Sequence, residues 1–237
     1  MCLILFYSII LNISKKAEAE ESELKSVKQY YLDGLYYYAD RSYTSSAEQF
    51  EALTKNHPFS NFSKEAVIME CYTNYINGEY SKIDGVAEVF YRLFQNDEYT
   101  PYIMYLQAMA IYSMAKDETK AVGFLDESEK IFNRIVNEFP NTKYSEASII
   151  KLDYINKMKQ LQDIRIGEFF QDRGEYIASI RRYTGMFETY KNKLIPEIEE
   201  RLLCRIVSLT KILKIDSETT KYSELLRKKY PDSKCLK

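Results

Sequence analysis

Apolar residues recur along the chain at helical spacing, and prolines interrupt them at matching places. Residues 50–58 and 132–140 each hold an aromatic residue, an aliphatic residue three positions later and a closing proline at the same spacing. Residues 226–233 repeat part of this pattern. An apolar pair three residues apart shares one face of a helix, and proline cannot continue that helix. Because the Ser/Thr residues after each proline can cap a following helix, the pattern predicts repeated units of helix, proline stop, cap and helix.

Within these units the spacing resembles the tetratricopeptide repeat. Gly34 and Ser46 fall on its small positions, where two helices would cross closely, and we count five helix pairs in all. The third pair has a longer connection near residues 115–124, the fourth contains a glycine stop at 172–176, and the fifth covers 195–231. A single pair cannot bury its apolar face without neighbours. The predicted fold class is therefore all-α, a right-handed tetratricopeptide-repeat superhelix of about five helix pairs without a sheet.

The amino-acid composition agrees with a helical fold and argues against nucleic acid as a binding partner. Only 7 Gly and 5 Pro occur in 237 residues, fewer than the turns of a sandwich or barrel would need. The net charge of -2 gives no electrostatic case for nucleic acid, which requires clustered positive charge. There are 22 Tyr and no Trp, and tyrosine suits half-exposed helix seams and binding grooves.

Residue types that carry chemistry are sparse. The single histidine, His57, directly precedes a proline, where a packing or dipole contact is more common than catalysis. The sequence contains no phosphate-binding glycine loop, nucleophile elbow or metal-ligand motif. We therefore expect a non-catalytic binding protein with no cofactor and no metal, and an enzyme on a helical scaffold is the less favoured alternative.

The four cysteines, at positions 2, 71, 204 and 235, show no metal-binding or redox spacing. Cys71 and Cys204 fall within helical patterns, and we expect both to be small buried apolar residues. The cysteine count leaves the redox compartment open.

The first nineteen residues have features of an export signal. Residues 3–11 are apolar except for Ser8, and Ala17-Glu18-Ala19 has the small-x-small form of a cleavage site. A basic segment before the apolar run is missing, since only Met1 and Cys2 precede it. An export signal over residues 1–19 is the favoured interpretation, and a buried or frayed N-terminal helix is the alternative.

Several blocks of the sequence, taken in order, resemble the BamD (YfiO) family. This is the tetratricopeptide lipoprotein family of the outer-membrane β-barrel assembly machinery. The blocks include Phe50-Glu51-Ala52-Leu53, His57-Pro58-Phe59-Ser60, Tyr102-Ile103-Met104-Tyr105, Phe139-Pro140-Asn141-Thr142-Lys143-Tyr144, Glu168-Phe169-Phe170-Gln171-Asp172-Arg173-Gly174-Glu175-Tyr176 and Ser179-Ile180-Arg181-Arg182-Tyr183. The resemblance covers roughly residues 29–233.

The resemblance implies a non-catalytic assembly factor on the periplasmic face of the outer membrane. Residues 20–100 would form N-terminal repeats that receive unfolded outer-membrane proteins, and residues 101–237 would dock the BamA-like barrel subunit. Other assembly-complex lipoproteins are further possible partners, and membrane contact would occur only through a lipid anchor. The alternative is another periplasmic scaffold for envelope or cell-division machinery. Such proteins usually begin with a coiled coil, and residues 15–30 contain no sustained heptad, which favours the first interpretation.

The chain departs from the family in three places, one of which, Lys191 in place of the proline that closes the fourth unit, affects only a repeat boundary. Family members carry a lipidated cysteine after the apolar run, whereas Cys2 precedes it and no other cysteine occurs before Cys71. Either the true start lies upstream or the protein is not acylated in the usual way. The segment 116–129 is also shorter than the family's long connection, so we assign that loop no binding role.

The partner interface is predicted at Arg181 and Arg182, in the fourth unit, where the resemblance implies contact with the barrel subunit. Arginine suits a desolvated, bidentate contact with a carboxylate. The alternative is that both are solvated helix charges.

The substrate groove is predicted on the first helices of the first two units. Tyrosines at three- and four-residue spacing share one helical face, and two such faces side by side would accept an extended peptide with aromatic side chains. A cation at the edge could meet the peptide's free carboxylate. The alternative is that these aromatic residues pack the seam between units. The groove residues are Lys28, Tyr31, Leu35, Tyr38, Glu65, Ile68, Tyr72 and Tyr75.

Overall fold

A computed structural model describes residues 25–115, 121–191 and 193–236. Over these ranges the chain forms ten α-helices, one short 3-10 helix and no strand, which confirms the all-α prediction of tetratricopeptide-type helix pairs. The helices are α1 (Val27–Ala39), α2 (Tyr43–Asn56), α3 (Ser63–Ile76), α4 (Tyr80–Leu93), α5 (Thr100–Met114), α6 (Ala121–Glu138), α7 (Lys143–Asp172), α8 (Tyr176–Thr189), α9 (Pro196–Ile212) and α10 (Asp216–Lys229), followed by the 3-10 helix Lys234–Leu236.

The helices fall into two compact units, one ending at Ser148 and the other beginning at Ile149. In the N-terminal unit α1 packs on α2, α3 on both α2 and α4, and α5 on both α4 and α6. Its core is formed by buried apolar side chains that face between successive helices: Phe50, Leu53, Ala66, Val67, Cys71, Ile83, Ala87, Phe90 and Ile103. These residues include the aromatic and aliphatic pair that the sequence placed before Pro58.

The C-terminal unit contains the rest of α7 together with α8, α9 and α10. Helix α9 packs against both α8 and α10. Its buried core comprises Ile164, Tyr183, Met186, Phe187, Ile198, Leu202, Leu203, Ile206, Val207, Leu209, Tyr222 and Leu226. The family resemblance predicts two functional regions that meet at residue 100. The boundary between the compact units lies elsewhere, at Ser148, and the functional division stays a prediction.

The first pair in each unit crosses through a glycine and a serine. Ser46 Oγ donates a hydrogen bond of 2.8 Å to the carbonyl of Gly34, and a Cβ added at Gly34 would lie 2.7 Å from the Phe50 ring. The predicted close crossing at Gly34 and Ser46 is confirmed. Ser179 Oγ makes the same 2.8 Å bond to the carbonyl of Gly167.

Prolines end helices as predicted, but the two caps that follow differ. The Thr142 hydroxyl accepts a 3.2 Å hydrogen bond from the Ser145 amide at the start of α7. At α3 no side chain caps the helix. There Ser63 instead donates a 2.6 Å bond to the His57 carbonyl. The expectation of a Ser/Thr cap is therefore wrong for α3, because this hydroxyl closes the preceding turn.

Two cysteines that look unrelated in sequence form a disulfide. Cys204 on α9 bonds to Cys235 in the terminal 3-10 helix, across a sequence separation of 31 residues. The expectation that Cys204 is a free buried residue is therefore wrong, because α10 returns the chain alongside α9. Cys71 is buried and free, as expected.

The predicted export signal, residues 1–19, lies outside the described residues. Among the helices that the structure describes, none has both the length and the apolar character needed to cross a bilayer.

Candidate peptide-binding and partner-binding surfaces

The eight residues predicted for the substrate groove lie on α1 and α3. Lys28 and Glu65 are exposed, whereas the six apolar or aromatic members are all half-buried. Each of these six side chains therefore packs partly against the fold and keeps part of its surface accessible to solvent.

Tyr31 belongs mainly to the packing of the first pair. Its ring lies 5.9 Å from that of Phe50 and 4.8 Å from that of Phe62, and Leu35 packs against the same cluster. Tyr75 similarly packs within the second pair, with its ring 5.7 Å from Tyr80.

Tyr38 and Tyr72 connect neighbouring pairs across the predicted groove. Their ring centroids are 6.2 Å apart, one on α1 and the other on α3. Hydrogen bonding to Tyr72, followed by desolvation, raises the pKa of the Tyr38 hydroxyl. The two side chains therefore form one continuous phenolic surface between the first helices of two pairs.

This surface continues onto tyrosines that the sequence analysis did not assign to the groove. Tyr102 on α5 packs against the same buried cluster as Tyr72, and its ring lies 5.4 Å from that of Tyr144 on α7. Burial raises the pKa of Tyr102, with Tyr72 and Tyr38 contributing further. We call Tyr38, Tyr72, Tyr102 and Tyr144 the tyrosine row. The row takes one residue each from α1, α3, α5 and the N-terminal end of α7, and the recurrence of tyrosine on α5 was the signal that could have revealed it.

The two predicted partner-binding arginines lie on α8, within the C-terminal unit. Both are exposed, and Arg182 forms an ion pair with Asp163 of α7. Arg182 is therefore held in place by its own unit, whereas Arg181, next to it on α8, is an exposed side chain outside this ion pair.

Two further arginines of this unit were not singled out from the sequence. Arg201 and Arg205, one turn apart on α9, both contact Oε1 of Glu168, at 2.5 Å and 3.1 Å. Two guanidinium groups therefore share one carboxylate, and Glu197 and Glu200 lie close to them on α9. Both arginines also line a surface cavity of about 460 Å³ that contains the Cys204–Cys235 disulfide. Spacing in the sequence gave no sign that Glu168 would join them.

Neither surface holds the groups that a metal site requires. Within the described part of the chain, no three His, Cys, Asp or Glu side chains converge in a way that could bind an ion. What the two surfaces offer is aromatic contact area in one unit and exposed guanidinium groups in the other, which are means of binding polypeptides.

Known proteins resemble this chain over most of its length. The BamD outer membrane protein assembly factor of Rickettsia prowazekii is 24% identical over 231 residues, covering 98% of this chain and 91% of the relative. That of Caulobacter vibrioides is 22% identical over 63% of this chain and 49% of its own length. A solved tetratricopeptide domain of P58(IPK) aligns with 94% of this chain and 56% of that chain, at 13% identity and a TM-score of 0.47. That likeness is too weak to support an argument.

The family model provides the assignment. The model described as YfiO, outer membrane lipoprotein, matches residues 23–225. This match spans both compact units, all ten helices except the end of α10, and both candidate surfaces. The chain belongs to the YfiO (BamD) family of outer membrane lipoproteins.

Proposed function

We propose that this protein is a non-catalytic factor in the assembly of outer-membrane proteins, acting on the periplasmic face of the outer membrane. Its N-terminal unit receives extended segments of unfolded outer-membrane proteins, and its C-terminal unit docks a BamA-like barrel subunit. The curated relatives carry the name of assembly factor BamD, which supports this proposal over a cell-division scaffold. The observation that carries the peptide-binding role is the tyrosine row.

The tyrosine row suits an extended peptide for a physical reason. Each ring is half-buried, so it is held rigidly by the helix pair beneath and still presents an accessible edge. Rigid aromatic side chains provide contact area with little loss of conformational entropy. A peptide with alternating aromatic residues can place successive side chains between neighbouring rings, and Lys28 on α1 supplies a cation for its terminal carboxylate.

The arginines of the C-terminal unit suit a folded partner. Arg181, Arg182, Arg201 and Arg205 are held on helices rather than on loops, and guanidinium groups bind carboxylates in a fixed, bidentate geometry. Arg201 and Arg205, which share Glu168, can each donate further charge-assisted hydrogen bonds to a carboxylate on the barrel subunit.

The disulfide supports an extracytoplasmic location. Disulfides form and persist in oxidising compartments such as the periplasm and are rare in the cytosol. The Cys204–Cys235 bond is therefore consistent with a protein that folds after export.

The peptide-binding role is tested with a peptide that carries the C-terminal sequence of an outer-membrane protein. Tyr72→Ala should weaken binding by about tenfold, in line with the loss of a central aromatic contact. Tyr36→Ala removes an exposed tyrosine of α1 that is 68% accessible and is the matched control. If affinity is unchanged in Tyr72→Ala while its melting temperature drops, the tyrosine row is only a packing seam.

The role of Lys28 is tested with the same peptide as a free acid and as an amide. The unmodified protein should prefer the free acid, and Lys28→Ala should remove that preference without changing the melting temperature. An equal preference in both proteins would contradict a carboxylate contact at Lys28.

The docking role is tested by co-purification of the barrel subunit from envelope extract. Arg182→Glu should reduce recovery of a BamA-like protein, whereas Asp163→Ala, which releases Arg182 from its ion pair, should preserve or increase it. Unchanged recovery with Arg182→Glu would show that Arg182 does not contribute to docking.

A further inference from the structure

A deep groove lies between the second helices of the first two pairs, on elements other than those that carry the tyrosine row. It has a volume of about 820 Å³, within the range of sites that bind ligands. Helices α2 and α4 form its walls, and α3 forms its floor. Its apolar lining comprises Ala47, Pro58, Val86, Val89 and Leu93.

The floor of the groove carries a buried carboxylate without a partner. Glu70 is only 8% exposed, yet among the described residues it has no hydrogen bond and no ion pair. Asn74, one turn further along α3, is also buried and lines the groove. Burial costs a carboxylate free energy because it loses part of its hydration, and no protein group among the described residues replaces the lost water at Glu70. Folding alone gives no reason to keep it there.

The charged residues around Glu70 leave it without a cation. Glu48 and Glu51 of α2 line the same groove, and Glu51 lies near enough for its negative charge to act on Glu70. The bases that line the groove, Lys55, Lys82 and Arg92, are exposed at its rim, and Lys82 pairs with Glu79. The floor is therefore an acidic site with apolar walls, open to solvent through the groove, and a cation that entered it would favour the charged form of Glu70.

We propose that this groove is a docking site for a basic peptide segment of a partner protein, which inserts one Arg or Lys side chain to pair with Glu70. The apolar walls receive the residues that flank the cation, as a helix-in-groove or extended segment does. Desolvation by these walls strengthens the ion pair. The site is independent of the tyrosine row, so it provides the N-terminal unit with a second binding surface.

Gly85 offers a way to close the groove without harming the fold. It lies on the α4 wall, and a Cβ added there meets no atom within 4 Å. Gly85→Leu should therefore fill the groove with a side chain while improving the helix propensity of α4. Glu70→Gln removes the charge and keeps the shape, and it relieves the buried acid. Both variants are expected to fold at least as well as the unmodified protein.

The experiment is a selection of short random peptides on the full chain, with counter-selection on Gly85→Leu. We expect the recovered peptides to be enriched in Arg or Lys flanked by apolar residues. They should bind Glu70→Gln at least about tenfold more weakly, as expected for a lost charged hydrogen bond. Replacing the basic residue by norleucine should weaken binding to the unmodified protein by a similar factor. Tyr72→Ala should bind these peptides unchanged, which separates this proposal from the proposed function.

Four outcomes would overturn the proposal. The first is that no peptide depends on an open groove, and the second is that the recovered peptides lack a basic residue or ignore Glu70→Gln. The third is that spermidine or free arginine binds as tightly as the peptides, which would assign the groove to a small cation. The fourth is self-association abolished by Gly85→Leu in sedimentation, which would make the occupant a second copy of this chain.

Discussion

Among the described residues, each compact unit contains one deeply buried glutamate, and the surroundings of the two differ. Glu199 on α9 is 7% exposed and Glu70 on α3 is 8% exposed. Glu199 accepts a hydrogen bond of 2.5 Å from Lys229 Nζ and one of 2.7 Å from the Tyr230 hydroxyl. Glu70 has no such partner among the described residues. The two glutamates are therefore equally buried but differ in role. Glu199 pairs within the fold, whereas Glu70 is available to a binding partner.

The difference shows how to interpret a buried charge. Lys229 and Tyr230 supply a cation and a hydroxyl to Glu199, so this carboxylate fixes the position of the C-terminal end of α10. Where the chain supplies neither, the charged form is disfavoured, and burial together with Glu51 raises the pKa of Glu70 to about 8. Glu70 is therefore the better indicator of a binding site, because a cation that pairs with it must come from another molecule.

The largest effect is expected from removing the partners of Glu199. Lys229→Met with Tyr230→Phe leaves a buried carboxylate unpaired and should lower the free energy of unfolding by about 3–5 kcal/mol. Urea denaturation measures the change. Lys228→Met, at an exposed neighbouring lysine, is the control and should cost little. Adding Glu199→Leu to the double variant should recover much of the loss; if it does not, the carboxylate is not its cause.

The next largest effect concerns the disulfide that holds the chain beyond α10. Cys235→Ser should lower the free energy of unfolding by about 2–4 kcal/mol, because the reduced chain gains freedom in the unfolded state. Thermal unfolding with and without reductant measures this. Reductant should destabilise the unmodified protein to the level of Cys235→Ser and leave that variant unchanged. A protein equally stable under both conditions would argue against the Cys204–Cys235 bond.

The helix crossings test whether the two units are otherwise built alike. Gly34→Ala and Gly167→Ala would each press a methyl group into a buried ring, Phe50 or Tyr183, and should cost about 1–3 kcal/mol. Gly85→Ala, at a helical glycine with open space, is the matched control and should be neutral or stabilising. Urea unfolding measures the loss of unfolding free energy in each variant. Similar losses at Gly34 and Gly167 would mean that the two units differ in their buried glutamates but not in how their helices cross.

The smallest effect is a dependence of stability on pH. The folded-state pKa of Glu70 lies above its unfolded value, so its stabilising contribution is complete below the unfolded pKa and is lost as pH rises through about 8. Between about pH 7 and about pH 8 the unmodified protein should lose on the order of 1 kcal/mol through this residue.

Glu70→Gln should remove that part of the loss, and parallel urea titrations of both proteins measure it. The groups that line the groove with Glu70, namely Glu48, Glu51, Lys55, Lys82 and Arg92, are the same in both proteins. Identical pH profiles would mean that Glu70 is not the source.

Local pattern predicted much of the fold, since helix periodicity, proline stops and the crossing of Gly34 with Ser46 all depend on residues close in sequence. The disulfide was missed because it depends on α10 bringing residue 235 back to α9, a long-range event without a spacing signal. Cys204 was consequently read as a buried apolar residue.

The candidate surfaces were predictable only in part, for a related reason. Helical spacing located tyrosines on the first helices, whereas Glu70 looks like an ordinary polar residue of α3. Its burial comes from α2 and α4, which close over it from other parts of the chain. Long-range packing therefore decides which polar residues become unusual.

Cys71 gives the disulfide a further meaning. Three cysteines within the described chain permit three pairings, of which one is native. A thiol takes part in exchange only as an accessible thiolate. Cys71 is fully covered by the N-terminal unit, and burial raises the pKa of its thiol. Once folded, the N-terminal unit therefore keeps Cys71 out of disulfide exchange. Of the three described cysteines, Cys204 and Cys235 are then the two that can react with each other.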